Sequence, residues 1–281
     1  PYWGDEVLSL DIAAYYQHIP TLLAYIRAVE FHPPLYYLFL HYWIGWFGGG
    51  EGAVRALSLV FSLATIPLAY LLAIRLWGKR HTALIAAFLV AIFPMQIEFG
   101  QEARPYAMLA FFSVAAALAY WEYVKQPKLF TFLGYVASLL IGLYIHYSFL
   151  FVIAALASWW LIDSLFFLPQ DKKNSLIWWL IAHGLVLIGF SYWLDAFFYK
   201  VVFLGRETLF GLTSNVILVR ATDFIELMSD QLIWLTKINV VLPIFILVKL
   251  IWKIAFVVAI FFIVRRNFIR REEAFYPHLR A

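Results

Sequence analysis

Along the 281 residues, apolar positions come in long unbroken runs rather than in alternation. A helix that crosses a bilayer needs about 20 apolar residues, with 17–25 common. Such runs fall at 53–76, 82–98, 105–124, 129–145, 147–167, 176–199 and 240–264. Their continuity, with Ala and Leu plentiful, predicts about seven transmembrane helices and no strands. The second and fourth runs are short. Two stretches fit no span. Residues 6–30 mix polar and apolar positions, as an interfacial helix does. Residues 35–47 (LYYLFLHYWIGWF) are too short to cross and carry seven aromatic rings, Tyr36 among them. A ring-rich segment of this kind prefers the membrane surface. Pro33 and Pro34 set its start, since proline suits a first helical turn, and the glycines at 48–50 end it.

The polar breaks carry a charge pattern. Arg75, Lys79 and Arg80 follow the first run, Lys125 and Lys128 the third, Lys172 and Lys173 the fifth. Arg265, Arg266, Arg270 and Arg271 follow the seventh. Short basic loops stay cytoplasmic, so every alternate loop is assigned inside. Residues 1–52, 99–104, the region of 146 and 200–239 then lie on the extracytoplasmic side. The expected organisation is a single membrane domain. Residues 1–52 form an external loop with two juxtamembrane helices, and 53–199 a core bundle. Residues 200–239 form a second external loop, and 240–281 the last span and a basic cytoplasmic tail. Pro1 opens inside an external loop and the chain ends on a basic, polar stretch without clear closure, so a fragment is expected, lacking an N-terminal span and a C-terminal part.

Composition changes the picture only by making it firmer. Hydrophobic residues reach 64% and charged ones 14%, and mean hydropathy is +0.83. Soluble domains sit near half apolar and a quarter charged, so lipid must solvate much of this chain. There is no cysteine, hence no disulfide framework and no thiolate chemistry. The net charge of +4 reads as a topology signal, and no basic, aromatic-interleaved groove points to nucleic acid.

Ionisable groups at membrane depth are costly and tend to be functional, and here they gather in the outer loops. Asp5 and Glu6 stand in PYWGDE, His32 in FHPPLYY, His146 and Tyr147 in LYIHYSF. Glu98, Gln101, Glu102, Arg104 and Tyr106 lie in EFGQEARPYA. Each has a plain structural reading. Asp5 could cap the helix that follows, and Glu6 could be a favourable first-turn charge. His32 could be a packed histidine, Glu102 and Arg104 could pair with each other, and Tyr106 and Tyr147 could be interface aromatics. His146, between two apolar runs, needs a partner under any reading.

Taken in order, these motifs resemble a known family. DE, then HPPLYY, then a first span, a basic RLWGKR turn and QEARPYA resemble the GT-C glycosyltransferases. More narrowly, they are similar to the dolichyl-phosphate-mannose protein mannosyltransferase superfamily. The likeness covers about residues 1–167, and beyond that only hydropathy agrees. It implies an all-α polytopic membrane protein of GT-C type. It also implies transfer of a sugar from a polyprenyl-phosphate carrier to an acceptor hydroxyl of a protein, lipid or glycan. The reaction would invert the anomeric centre, outside the cell or inner membrane. Under the resemblance Asp5 is the general base and Glu6 orients the site. Arg104 grips the phosphate with its planar fork and Glu102 holds Arg104. His32, Tyr36, Gln101, Tyr106, His146 and Tyr147 bind substrate. Arg206, Lys249 and Lys253 are secondary phosphate ligands. The two lysines share a helix face, though snorkelling to the outer interface explains them more simply. No tight metal-ligand spacing such as HExxH occurs. No metal or cofactor is assigned, and a divalent ion stays compatible with the residue types. A transporter or lipid flippase is the alternative from another class. It predicts internal repeats and broken helices at mid-membrane, and the sequence has no repeat.

Overall fold

A computed structural model of the chain describes residues 2–16, 18–166 and 172–200. The chain divides into two compact units, Pro1–Thr208 and Leu209–Ala281, and the described residues all lie in the first. Arg206, Lys249, Lys253 and the run at 240–264 lie outside them. Among the described residues every regular element is helical.

The order is α1 (Gly4–Tyr15), α2 (Ile19–Ala28), α3 (Leu35–Phe47), α4 (Glu51–Trp77), α5 (Arg80–Ala91), α6 (Pro94–Gly100), α7 (Tyr106–Lys125), α8 (Leu129–Ile145), α9 (Phe149–Phe166) and α10 (Lys172–Phe197). The chain is an all-helical polytopic membrane protein. Helices α4, α7 and α10 are long and apolar enough to cross a membrane, and α5 with α6 makes a bent fourth. Apolar α8 and α9 are 17 and 18 residues long, at the lower end of the spanning range.

Two expectations need correcting. The run at 82–98 is not one straight span, because α5 and α6 meet at a 56° bend. Pro94 opens α6, and a proline cannot continue the α5 hydrogen-bond ladder. The stretch 6–30 is two helices rather than one. Tyr16 and His18 adopt extended backbone at the break, and Pro20 sits in the first turn of α2. Three short helices therefore precede α4, where two were expected.

Helix α4 is the organising element, packed on α5, α6 and α7. Its face toward α6 is small and polar. Ser62 Oγ donates to the Gln96 carbonyl at 2.9 Å, and Gln96 Nε2 donates back to the Ser62 carbonyl at 3.0 Å. Gly100 keeps the approach close, since a Cβ there would lie 2.9 Å from the Ser62 side chain. In lipid such small and polar contacts substitute for hydrophobic attraction between helices. Helix α8 packs on α7 and α10, and α3 lies against α1, α4 and α8. That position buries Tyr36, Tyr37 and Leu40, while Phe39, Tyr42, Trp46 and Phe47 stay exposed.

The C-terminal ends of α4 and α7 lie side by side. Arg75, late in α4, pairs with Glu122, late in α7, at 3.0 Å. At the other ends, Arg55 of α4 and Ala103 before α7 both reach Glu6 of α1.

Candidate active site

The acidic pair sits in the first turn of α1, and its two members do different things. Glu6 is fully buried. Its carboxylate accepts from Arg55 Nε at 2.8 Å and Nη2 at 2.6 Å. It also accepts from the Ala103 backbone N–H at 2.8 Å and the Trp3 N–H at 3.3 Å. Glu6 thus caps its own helix and ties it to the start of α4 and to the turn before α7. Burial opposes its charge, but Arg55 and the two N–H groups outweigh burial and hold its pKa below the ordinary carboxylate range.

Asp5, one residue earlier, has its side chain 51% exposed. The helix-cap explanation for Asp5 fails, because Trp3 is the N-cap and Glu6 does the capping. The Asp5 carboxylate instead lies 3.5 Å from Arg104 Nη2.

Arg104 is almost completely buried. Its Nη1 donates to the Asp5 carbonyl at 3.3 Å and to Ser9 Oγ at 3.4 Å, and its Nε has no protein partner. Its own carbonyl accepts from Ser58 Oγ of α4 at 3.2 Å. The turn that carries it is therefore fixed from both sides, by Glu6 through Ala103 and by Ser58. The expected Glu102–Arg104 side-chain pair is not formed, and Asp5 takes that place. Burial, with the nearby carboxylates of Glu98 and Glu6, pushes the Glu102 carboxyl up. Gln101 is exposed beside it.

From Arg104 a line of rings leads inward. The guanidinium carbon lies 5.7 Å from the Tyr106 ring centre. Tyr106 is 5.8 Å from His146, and His146 is 5.0 Å from His32. Burial, then the nearness of His32 and Arg104, pushes His146 down to about 4, so it is neutral at physiological pH. Its Nδ1 accepts the Ser148 N–H at 3.0 Å, which leaves the proton on Nε2. Gly142 makes this turn possible: a Cβ there would lie 2.3 Å from the Phe149 ring. The chain can therefore reverse directly after His146. Tyr147 faces away, with its hydroxyl accepting from Trp193 Nε1 at 3.0 Å. Tyr36 and Tyr37 are buried with hydroxyls that lack a protein partner.

Asp5, Arg104, Tyr106, His146 and His32 thus form a series of contacts, each residue touching the next. Among the described residues no three His, Asp or Glu side chains gather as a metal site would require. The model of the dolichyl-phosphate-mannose-protein mannosyltransferase family matches residues 20–205 of this chain. The chain belongs to that family. Membership makes it a membrane glycosyltransferase with a polyprenyl-phosphate-linked sugar donor, and so takes the enzyme reading over the transporter. No curated protein and no solved structure matches it.

Several residues that build this constellation in the mannosyltransferase-family chain escaped the sequence reading. Arg55, Ser9 and Ser58 hold the acidic pair and Arg104. Glu30 holds His32, through Nδ1 at 2.7 Å and the backbone N–H at 3.2 Å. Arg55 carried a signal, since an arginine near the start of an apolar run needs a partner. Ser9 and Ser58 carried none.

Proposed function

We propose that this enzyme transfers a mannosyl group from a polyprenyl phosphate to an acceptor hydroxyl, with inversion, on the extracytoplasmic side. The reading rests on one observation: a half-exposed Asp5 carboxylate beside an almost buried Arg104. The acceptor oxygen attacks the anomeric carbon as the bond from that carbon to the phosphate oxygen breaks. The hydroxyl proton passes to Asp5, and the electron pair leaves on the lipid phosphate. A phosphate departs readily, so cations that receive its charge matter more than a strong acid. Arg104 supplies that charge from beside the exposed Asp5 carboxylate. Tyr106, His146 and His32, in ring contact one after another beyond Arg104, are assigned to the donor. Glu6 supports the site from beneath, which refines its expected orienting role. The basic residues Arg75, Lys79, Arg80, Lys125 and Lys128 lie in or just beyond the last turns of α4 and α7, at the ends away from Asp5 and Arg104, which favours an extracytoplasmic site.

The test is Asp5→Asn in the full chain, in membranes given labelled polyprenyl-phosphate mannose. Transfer should fall by about 10²–10⁴, the usual contribution of a general base, with expression unchanged. Retained transfer would remove Asp5 as the base.

A further inference from the structure

His32 is held by Glu30, and the backbone of Glu30 by Lys200, neither of which the proposed reaction uses. Glu30 lies two residues before it, and its side chain is only 6% exposed. Its Oε1 meets both the His32 ring Nδ1 and the His32 backbone N–H. Burial disfavours a charge on Glu30, but the contacts from His32 outweigh it and keep the carboxyl below its usual pKa. An ionised carboxylate can only accept, so the proton of this contact belongs to Nδ1 of His32. That leaves Nε2 as the ring atom available to a ligand.

The backbone beneath this pair is fixed from far along the chain. Lys200, fully buried just past α10, donates from Nζ to the Ile26 carbonyl at 2.6 Å and to the Glu30 carbonyl. These carbonyls belong to the last turn of α2 and the residues after it, where a cation is favoured. A second tie runs in parallel. Arg27 of α2 pairs with Asp195 of α10 at 2.5 Å and lies 4.7 Å over the Tyr192 ring. The segment 26–32 is therefore anchored to the end of α10 while its carboxylate is turned toward His32.

A plain structural reading is that these contacts only hold the turn between α2 and α3. The backbone N–H of His32 already serves that purpose. The additional contact on the ring nitrogen fixes orientation and tautomer, as a carboxylate does for an imidazole in other sites.

We infer that Glu30 and Lys200 are positioning residues for the transfer reaction: together they lock His32 with Nδ1–H on Glu30 and present Nε2 to the sugar-phosphate donor. The role of His32 toward the donor rests on the proposed function, whereas the lock itself does not.

The experiment uses the full chain in lipid nanodiscs with ¹⁵N-labelled histidine, His32 being assigned by its loss in His32→Gln. In the unmodified protein the His32 Nδ1 signal should be that of a protonated nitrogen. In Glu30→Gln, which keeps the side-chain size, an unprotonated Nδ1 population should appear. Lys200→Met should do the same, and Lys200→Arg should restore the original signal. An unprotonated Nδ1 in the unmodified protein, or a signal that ignores Glu30→Gln, overturns the lock. With polyprenyl-phosphate mannose as probe, Glu30→Gln should raise the donor KM about tenfold, the weight of one charge-assisted hydrogen bond, with kcat kept within about twofold. An unchanged donor KM in Glu30→Gln overturns the positioning role. An unchanged KM in His32→Gln overturns instead the assignment of His32 to the donor, and the nitrogen signal still decides the lock.

Discussion

Replacing Glu6 with Gln exchanges one carboxylate oxygen for an amide in a side chain that is fully buried. The oxygens now receive four N–H groups: two from Arg55, one from Ala103 and one from Trp3. An amide has one acceptor oxygen, and its NH₂ must face a donor. Removing one partner of a buried ion pair costs about 3–5 kcal/mol. Arg55 is 28% exposed and keeps Glu51 at 2.5 Å, so the lower end applies, about 3 kcal/mol. At about 2–4 °C per kcal/mol for a chain of this size, Tm should fall by about 6–12 °C. Thermal unfolding in detergent micelles at neutral pH measures this.

The pH dependence supplies a sharper check. The folded-state pKa of Glu6 lies below the ordinary value. Its stabilisation is therefore complete above the unfolded pKa, and is lost as pH falls through the folded one. On acidification below about pH 4.5, the wild type should lose stability that Glu6→Gln never had, and the gap in Tm should narrow. Glu30 is shifted in the same direction but is present in both proteins, so it cancels in the difference. Equal Tm at neutral pH, or a gap that stays constant down to pH 3, would refute the reasoning.

Two further substitutions probe the neighbouring turn. Gly142→Ala places a methyl group 2.3 Å from the Phe149 ring; overpacking of this kind costs about 1–3 kcal/mol. A lowered Tm and weakened transfer are expected, and Phe149→Leu in the same chain should recover both. Trp193→Phe removes the donor to the Tyr147 hydroxyl, at about 1–3 kcal/mol for a buried group left unpaired. The loss should appear in thermal unfolding and should shrink when Tyr147→Phe is added.

What could be read from the sequence follows from how local each feature is. Spans are contiguous, so α4, α7, α8, α9 and α10 lie close to the apolar runs. The motifs DE, HPPLYY and QEARPYA are contiguous as well, and they carried both the family and the residues that adjoin at the site. Pro94 marks the break inside the second run, a signal that a reading by apolar runs alone passes over. The partners of the site were beyond reach for the opposite reason. Glu6 and Arg55 are 49 residues apart, Glu6 and Ala103 97, and Lys200 and Glu30 170. No local periodicity connects such pairs. Glu102 misled because it stands two residues from Arg104, while the guanidinium turns toward α1 and reaches Asp5 from 99 residues away.

One stripe of α4 explains why the site and the membrane packing form a single construction. Arg55, Ser58 and Ser62 are three and four residues apart, and therefore share one face of the helix. Arg55 holds Glu6, Ser58 holds the carbonyl of Arg104, and Ser62 exchanges hydrogen bonds with Gln96 of α6. The same stripe thus sets the acidic pair, the arginine turn and the bent helix leading into it. Apolar attraction between helices is weak in lipid, so these polar contacts carry much of the specificity of packing. Any shift of α6 along α4 would displace the turn at 101–105, and with it the position of Arg104 relative to Asp5. The bend at Pro94 contributes by freeing α6 from the direction of α5, so that Gly100 can close on Ser62. The broken span is therefore part of how the cation reaches the carboxylate, rather than a defect in a membrane helix.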